Sequence, residues 1–275
     1  MKQAILTVKD AAFGYGTKVV LRNVNFSVES GTLAGLVGPN GIGKSTLLQT
    51  LRGLLPPVQG IITINGKNIA ALGAKDFARQ AAYLRQHNDV PFAYTVREVV
   101  EAGRYPYLKW WEQNSVSRED VVEACMQYMQ VKELQDKPVN QLSGGQRQRV
   151  FLAKALAQQT EILFLDEPTA DLDFVFTEEL FQLAKLWTQA GKTVIMAVHE
   201  LSLAYKYCSK ILLLGKGKLL AEGIPEEVMT EENLSASYGV PMTAKRNPVT
   251  GGIDVNASLT YLKPTQKNLL SKICK

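Results

Sequence analysis

The chain has 275 residues, 46% of them hydrophobic, which is enough for one large or two small folded units and too apolar for a disordered chain. Its formal net charge of +5 is mild, and the basic residues are scattered rather than blocked, so it does not by itself argue for nucleic acid and would equally suit anionic lipid or a phosphate ligand. Cys125, Cys208 and Cys274 lie far apart with no C-x-x-C pair, so neither a zinc site nor a disulfide framework is indicated.

The first third reads mostly as short strands. Residues 5–8, 24–28 and 61–64 alternate or are rich in β-branched side chains. Gly31 marks a turn, and Asn65-Gly66 is a hairpin signal. Between these strands an apolar run, residues 33–37, leads into Gly38-Pro39-Asn40-Gly41-Ile42-Gly43-Lys44-Ser45-Thr46, and residues 45–51 read as helix. This fits the phosphate-loop pattern G-x-x-x-x-G-K-[S/T] in its strand–loop–helix setting. Glycines let the backbone curl so that successive N–H groups point at one phosphate. The helix start adds partial positive charge, and Lys44 adds a full one. The Ser45 hydroxyl can hold a magnesium ion. The pattern predicts a nucleoside triphosphate site.

The middle of the chain reads as helix. Thr95 and Glu98 form a capping-box pair, and Val121, Val122, Cys125, Met126 and Met129 recur at helical spacing as a core face. A further helix is expected from Gly145 or Gln146 to Gln158. The last third returns to α/β. Residues 162–165 and 193–198 are continuous apolar runs that suit parallel strands covered on both faces. Residues 177–189 look helical and end at Gly191; Gly215-Lys216-Gly217 marks a hairpin. Residues 241–262 read as a small C-terminal hairpin or a loose tail.

The strand at 162–165 ends in Asp166-Glu167, the Walker B pattern. Acids at the C-terminal tip of a parallel strand lie where open α/β sheets bind ligands. Asp166 would hold the magnesium ion, and Glu167 would face the attacking water as its base or polariser.

Leu142-Ser143-Gly144-Gly145-Gln146, between the phosphate loop and the Walker B strand, makes the pattern specific. The ordered set resembles the ATP-binding-cassette (ABC) ATPases over roughly residues 1–240. The resemblance implies an α/β fold: a P-loop (RecA-like) core with an antiparallel β subdomain and an inserted α-helical subdomain. It implies a core formed by residues 1–85 and 157–240, a helical subdomain over 86–156 carrying the signature, and a terminal hairpin or tail over 241–275. It implies ATP and Mg²⁺ as cofactors. Tyr15, in Phe13-Gly14-Tyr15-Gly16, looks like the aromatic that stacks on adenine. Gly38, Pro39, Asn40, Gly41, Gly43, Lys44, Ser45 and Thr46 would surround the phosphates. Gln86 matches the magnesium-sensing glutamine, and residues 170–173 match the loop that meets a partner subunit. His199 matches the switch histidine at the γ-phosphate; Glu200 follows it where the family often has aspartate. His87 matches no family position. Two cassettes would face head to tail, with Ser143, Gly144, Gly145 and Gln146 of one against the ATP held by the other.

No apolar stretch approaches the ~20 residues that span a bilayer, and the N-terminus carries no signal-peptide pattern. A single cassette without spans looks like the separate ATPase of a bacterial importer, peripheral on the cytoplasmic face of the membrane. Gly103-Arg104-Tyr105-Pro106-Tyr107, after the Thr95–Glu98 helix start, resembles importer ATPases for iron–siderophore, haem and cobalamin. The implied partners are a second copy of the chain, permease subunits, and a substrate-binding protein acting through them. No nucleic acid is expected. Tyr105, Tyr107, Trp110 and Trp111 read either as a permease contact or as core. The alternative is a soluble ABC ATPase acting on nucleic acid or the ribosome, a weaker one a regulatory cassette whose tail binds an effector.

Overall fold

A computed structural model describes residues 4–85, 93–108, 116–169, 172–258 and 272–273. In chain order the elements are β1 (Ala4–Tyr15), β2 (Lys18–Glu29), β3 (Leu33–Val37), α1 (Lys44–Leu51), β4 (Gln59–Ile64), β5 (Lys67–Asn68), α2 (Ala74–Gln80), β6 (Ala81–Leu84), α3 (Val96–Glu101), α4 (Val116–Tyr128) and α5 (Gly144–Ala157). There follow β7 (Ile162–Leu165), α6 (Phe174–Gln189), β8 (Thr193–Ala197), α7 (Leu201–Tyr207), β9 (Lys210–Gly215), β10 (Lys218–Gly223), α8 (Pro225–Val228), α9 (Glu231–Tyr238), β11 (Met242–Arg246) and β12 (Ile253–Ala257).

The central sheet runs β10-β9-β3-β8-β7-β6, parallel except for β10 at one edge. Its apolar runs split by the two-residue period of a strand. Leu163, Leu165, Val194, Met196, Ile211 and Leu213 enter one hydrophobic core with α5 and α6. Ile162, Phe164, Ile195, Ala197, Leu212 and Leu214 enter a second, with α1 and the antiparallel sheet β2-β1-β4-β5. This is why those strands read as unbroken hydrophobics: neither face meets water. The parallel strands β3, β7 and β8 end together, so the residues that follow them share one edge.

The antiparallel strands are longer than the sequence suggests. β1 and β2 each run 12 residues, where runs of four and five were legible. Their register shifts between Val8 and Ala11, and Asp10 takes a left-handed φ of 47°. Such irregularities break the alternation by which a long strand is recognised. Asn65-Gly66 does form the β4–β5 turn, with φ of 50° and 74°. In the second hairpin the turn is Lys216-Gly217, Gly215 being the last residue of β9.

Between β6 and β7 the described chain is helical. Of the expected stripe, Val122 and Met126 in α4 and Met129 just after it are buried, and Val121 and Cys125 are half-buried. Gly103 lies where the 3₁₀ segment Ala102–Tyr107 crosses α5; a Cβ there would stand 2.3 Å from the Lys154 carbonyl oxygen. Buried Arg104 donates to the Ala157 carbonyl (2.7 Å) and to Gln159 Oε1 (2.8 Å). The Tyr107 hydroxyl donates to the Gln158 carbonyl (2.9 Å). The Gly-Arg-x-Pro-Tyr stretch is therefore a clamp on the end of α5. Tyr107 belongs to that clamp, Tyr105 is exposed, and Trp110 and Trp111 lie outside the described residues.

Of the terminal segment 241–275, residues 242–257 form a docked hairpin, and 259–271 and 274–275 lie outside the described residues. β11 and β12 pair antiparallel, Ile253 is buried, and Gly252 approaches so closely that a Cβ would lie 2.2 Å from Ser202 Oγ. Ser202 is in the first turn of α7, the helix that follows His199.

Candidate active site

Backbone geometry sets up the loop at the tip of β3. Gly38 and Gly43 have φ of 154° and 115°, and a Cβ on Gly38 would meet the Leu214 carbonyl oxygen at 2.7 Å. Only glycine fits both demands there. Lys44 opens α1 with its side chain folded back, its Nζ donating to the carbonyls of Gly38 (2.9 Å) and Pro39 (3.4 Å). The ammonium is buried, which lowers its pKa, while Glu167 and Asp166 oppose that shift. A buried cation at the first residue of a helix, where backbone N–H groups lack intrahelical partners, is a receptor for a multiply charged anion.

Asp166 directly follows β7 and is 3% exposed. The Ser45 hydroxyl donates to its Oδ1 (3.0 Å) and the Tyr83 hydroxyl to its Oδ2 (2.8 Å). Burial nevertheless raises its pKa above the usual carboxylate value, against those two bonds. Ser45 Oγ and Asp166 Oδ1 are hard oxygens 3.0 Å apart. Adjacent ligands of an octahedral ion at Mg²⁺–oxygen distances lie about 2.9 Å apart, so the pair fits that ion.

Glu167 holds a left-handed φ of 47°, a strained conformation for a residue with a Cβ. It points Oε1 to 2.6 Å from His199 Nε2 and 3.9 Å from Lys44 Nζ. His199 follows β8, so adjacent strand tips bring the acid and the imidazole together. Beyond them, Thr169 donates to both carboxylate oxygens of Glu200 (3.3 and 3.2 Å). The Thr46 hydroxyl donates to the Tyr15 hydroxyl (3.3 Å), and the Tyr15 ring stands half exposed beside the loop.

The predicted residues thus fall into two groups. Lys44, Ser45, Thr46, Tyr15, Asp166, Glu167 and His199 are joined by direct contacts. Ser143 and Gln146 contact none of these among the described residues. They cap α5 instead: Gln146 N–H donates to Ser143 Oγ (3.4 Å), and Ser143 N–H donates to Gln146 Oε1 (3.2 Å). The helix thus starts at Gly144, ahead of the expected Gly145 or Gln146, because the Ser-x-x-Gln spacing forms a capping box. Serine accepting in the cap keeps its O–H proton to donate outward, and the first helical N–H groups lack intrahelical partners. The exposed turn can therefore receive an anion from outside the chain. Gln148 and Arg149 tie this helix to the rest, donating to the Pro168 carbonyl (2.9 Å) and to Glu179 (2.6 Å). Gln86, His87, Ala170 and Asp171 lie outside the described residues. Tyr83 is the residue that sequence reasoning missed; as a strand tyrosine it carries no signal that its hydroxyl reaches Asp166.

The family model for ABC transporters matches residues 21–170, from β2 through the phosphate loop to the residues after Walker B. A probable siderophore transport ATP-binding protein of Bacillus subtilis, YusV, is 34% identical over 91% of this chain and 92% of its own. The ferric enterobactin transport ATP-binding protein FepC of Escherichia coli is 36% identical over 90% of this chain and 92% of its own. Among solved structures, a chain of an ABC transporter assigned to the metal-chelate type, in an inward-facing conformation, has a TM-score of 0.82 at 26% identity, covering 94% of this chain and all of that one. With its triphosphate-type loop, its Walker B acids and these relatives along nearly its whole length, the chain belongs to the ABC transporter ATP-binding family and is an ATPase.

Proposed function

We propose that this chain is the ATP-hydrolysing subunit of a bacterial importer for a metal chelate of the iron–siderophore, haem or cobalamin kind. It would work as a homodimer beneath two permease subunits, fed by a substrate-binding protein. The observation that carries the ATPase half is the cluster of Lys44, Ser45, Asp166, Glu167 and His199 at the adjoining tips of β3, β7 and β8. The importer half rests on the siderophore-transport relatives, which align along nine-tenths of the chain. Among the described residues no helix is long and apolar enough to cross a membrane, so transport needs a spanning partner.

In this reading Tyr15 stacks on the adenine, and the N–H groups of residues 38–46 cradle the phosphates, Gly38, Pro39, Asn40, Gly41 and Gly43 shaping the turn. Lys44 exchanges loop carbonyls for phosphate oxygens, a gain in charge-assisted bonding. Ser45, Asp166 and Gln86 hold Mg²⁺, which when bound neutralises charge on the phosphate oxygens. Glu167 takes a proton from the attacking water. His199 Nε2, now on Glu167, turns to the γ-phosphate. Ser143, Gly144, Gly145 and Gln146 of the second copy close over the same phosphate, so its loss on hydrolysis reopens the dimer.

Affinity capture of the chain from native membranes in detergent, with ATPase assayed alone and with the captured partner, tests the reading. A polytopic partner that stimulates hydrolysis supports it. Retention of nucleic acid or ribosomes instead would overturn the importer half. The dimer is tested separately by Ser143→Asp. Aspartate caps a helix as well as serine does, but its charge opposes a phosphate. We expect ATP binding within about twofold of wild type and loss of ATP-driven dimerisation by light scattering, since the bond across the interface carries charge. Dimers that still form with ATP would remove the signature turn from the interface.

A further inference from the structure

Asp166 has two carboxylate oxygens, and the structure treats them differently. Oδ1 faces Ser45, inside the phosphate loop (3.0 Å). Oδ2 accepts from the Tyr83 hydroxyl (2.8 Å). Tyr83 comes from β6, beside β7, where it pairs with Phe164, and its ring packs on the core shared with α1. Arg52, the C-cap just after α1, lays its guanidinium 4.1 Å from the centre of that ring. The Arg52 Nε is buried and has no hydrogen-bond partner among the described residues, and the ring face receives this cation. One short helix therefore reaches Asp166 from both ends, through Ser45 at its start and through Arg52 and Tyr83 at its finish.

We propose that Tyr83 is the positioning residue for the cation-binding carboxylate, holding Asp166 Oδ2 so that Oδ1 alone faces the cation. Arg52 fixes the tyrosine ring. A loose carboxylate can turn or bind through both oxygens, as larger ions such as Ca²⁺ accept. Mg²⁺ demands near-ideal octahedral ligands, which a single pinned oxygen supplies. Hydrogen-bond partners of metal ligands set affinity in this way, and losing one costs about 10- to 100-fold. The inference rests on the ATPase reading and adds a residue to it.

Tyr83→Phe removes only the hydroxyl. The test measures binding of a non-hydrolysable ATP analogue, AMP-PNP, by calorimetry with EDTA and at graded Mg²⁺, and Mn²⁺ affinity of the AMP-PNP complex by electron paramagnetic resonance. The expected result is unchanged metal-free AMP-PNP binding, with the Mg²⁺ midpoint and Mn²⁺ dissociation constant raised about tenfold or more. The midpoint for Ca²⁺ should shift less than that for Mg²⁺. Metal affinities within twofold of wild type would overturn the role, even if turnover fell, because a purely structural tyrosine lowers activity without moving a metal midpoint. Arg52→Met should produce part of the same shift and Arg52→Lys should return the midpoints toward wild type, which keeps the question answerable if Tyr83→Phe folds poorly. A wild-type chain that bound no AMP-PNP would sink the ATPase reading itself; wild-type binding with an unmoved variant would sink only the tyrosine.

Discussion

Glu167→Gln is expected to lower steady-state ATP hydrolysis by about a thousandfold, in the range a general base contributes, while ATP stays bound. Glutamine is nearly isosteric and keeps an oxygen to accept from His199 Nε2, now 2.6 Å from Glu167 Oε1. It cannot take a proton from water. Geometry is preserved and only the proton acceptor is lost. Binding should be at least as tight as in wild type. Glu167 lies 3.9 Å from Lys44 Nζ, the cation that the triphosphate must also use. Removing a negative neighbour leaves that cation to the nucleotide and lessens repulsion of its phosphates. The strained φ of 47° at this position is what aims the side chain, and glutamine inherits the same backbone. Phosphate release and retention of radiolabelled ATP on gel filtration check both halves. Turnover near the wild-type rate would remove Glu167 from the role of base and leave His199 as the group to test.

How much of this was readable beforehand depended on whether a residue's task was local. The phosphate loop is local: strand, turn, lysine and helix stand in sequence order, and the fold places Lys44 and Ser45 as that order implies. Buried strands such as Ile162–Leu165 were legible because both faces are covered, which strips polar residues from the run. The full length of β1 was not, because bulges at Asp10 and beyond break its period. The helix following Walker B starts at Phe174, earlier than Thr177, because Asp173 caps it by accepting from the Phe176 N–H (2.7 Å). That signal is present in the sequence but sits inside a stretch read for its loop pattern. Long-range pairings were invisible. Nothing in Tyr83, Arg52, Thr169 or Glu200 taken singly announces a hydrogen bond or ring contact across the sheet. Gly103-Arg104 was read as a family mark, and the fold supplies its physical reason, a backbone crossing too tight for any Cβ.

Lys44→Ala should weaken ATP binding about 100-fold, because two charge-assisted bonds to phosphate are each worth about 1.5–3 kcal/mol and part of that loss is recovered by water. Its effect on the empty protein should be small, and the contrast is the informative part. Lys44 Nζ is satisfied by the Gly38 and Pro39 carbonyls, yet burial lowers its pKa, so the fold carries a desolvated charge there. Truncation removes that cost along with the two bonds to the loop. It also removes the ammonium that lies 3.9 Å from Glu167, which works in the other direction. The melting temperature without nucleotide should therefore move little. The rise in melting temperature on adding ATP should fall away, since that rise follows RT ln(1 + [L]/Kd) and Kd has grown. Lys44→Arg should not rescue binding: the planar guanidinium keeps the charge but not the compact ammonium that the turn of Gly38 and Gly43 admits. Thermal melts of wild type, Ala and Arg forms across an ATP series separate the two effects. An Ala variant stabilised by ATP as strongly as wild type would place the triphosphate somewhere other than this loop.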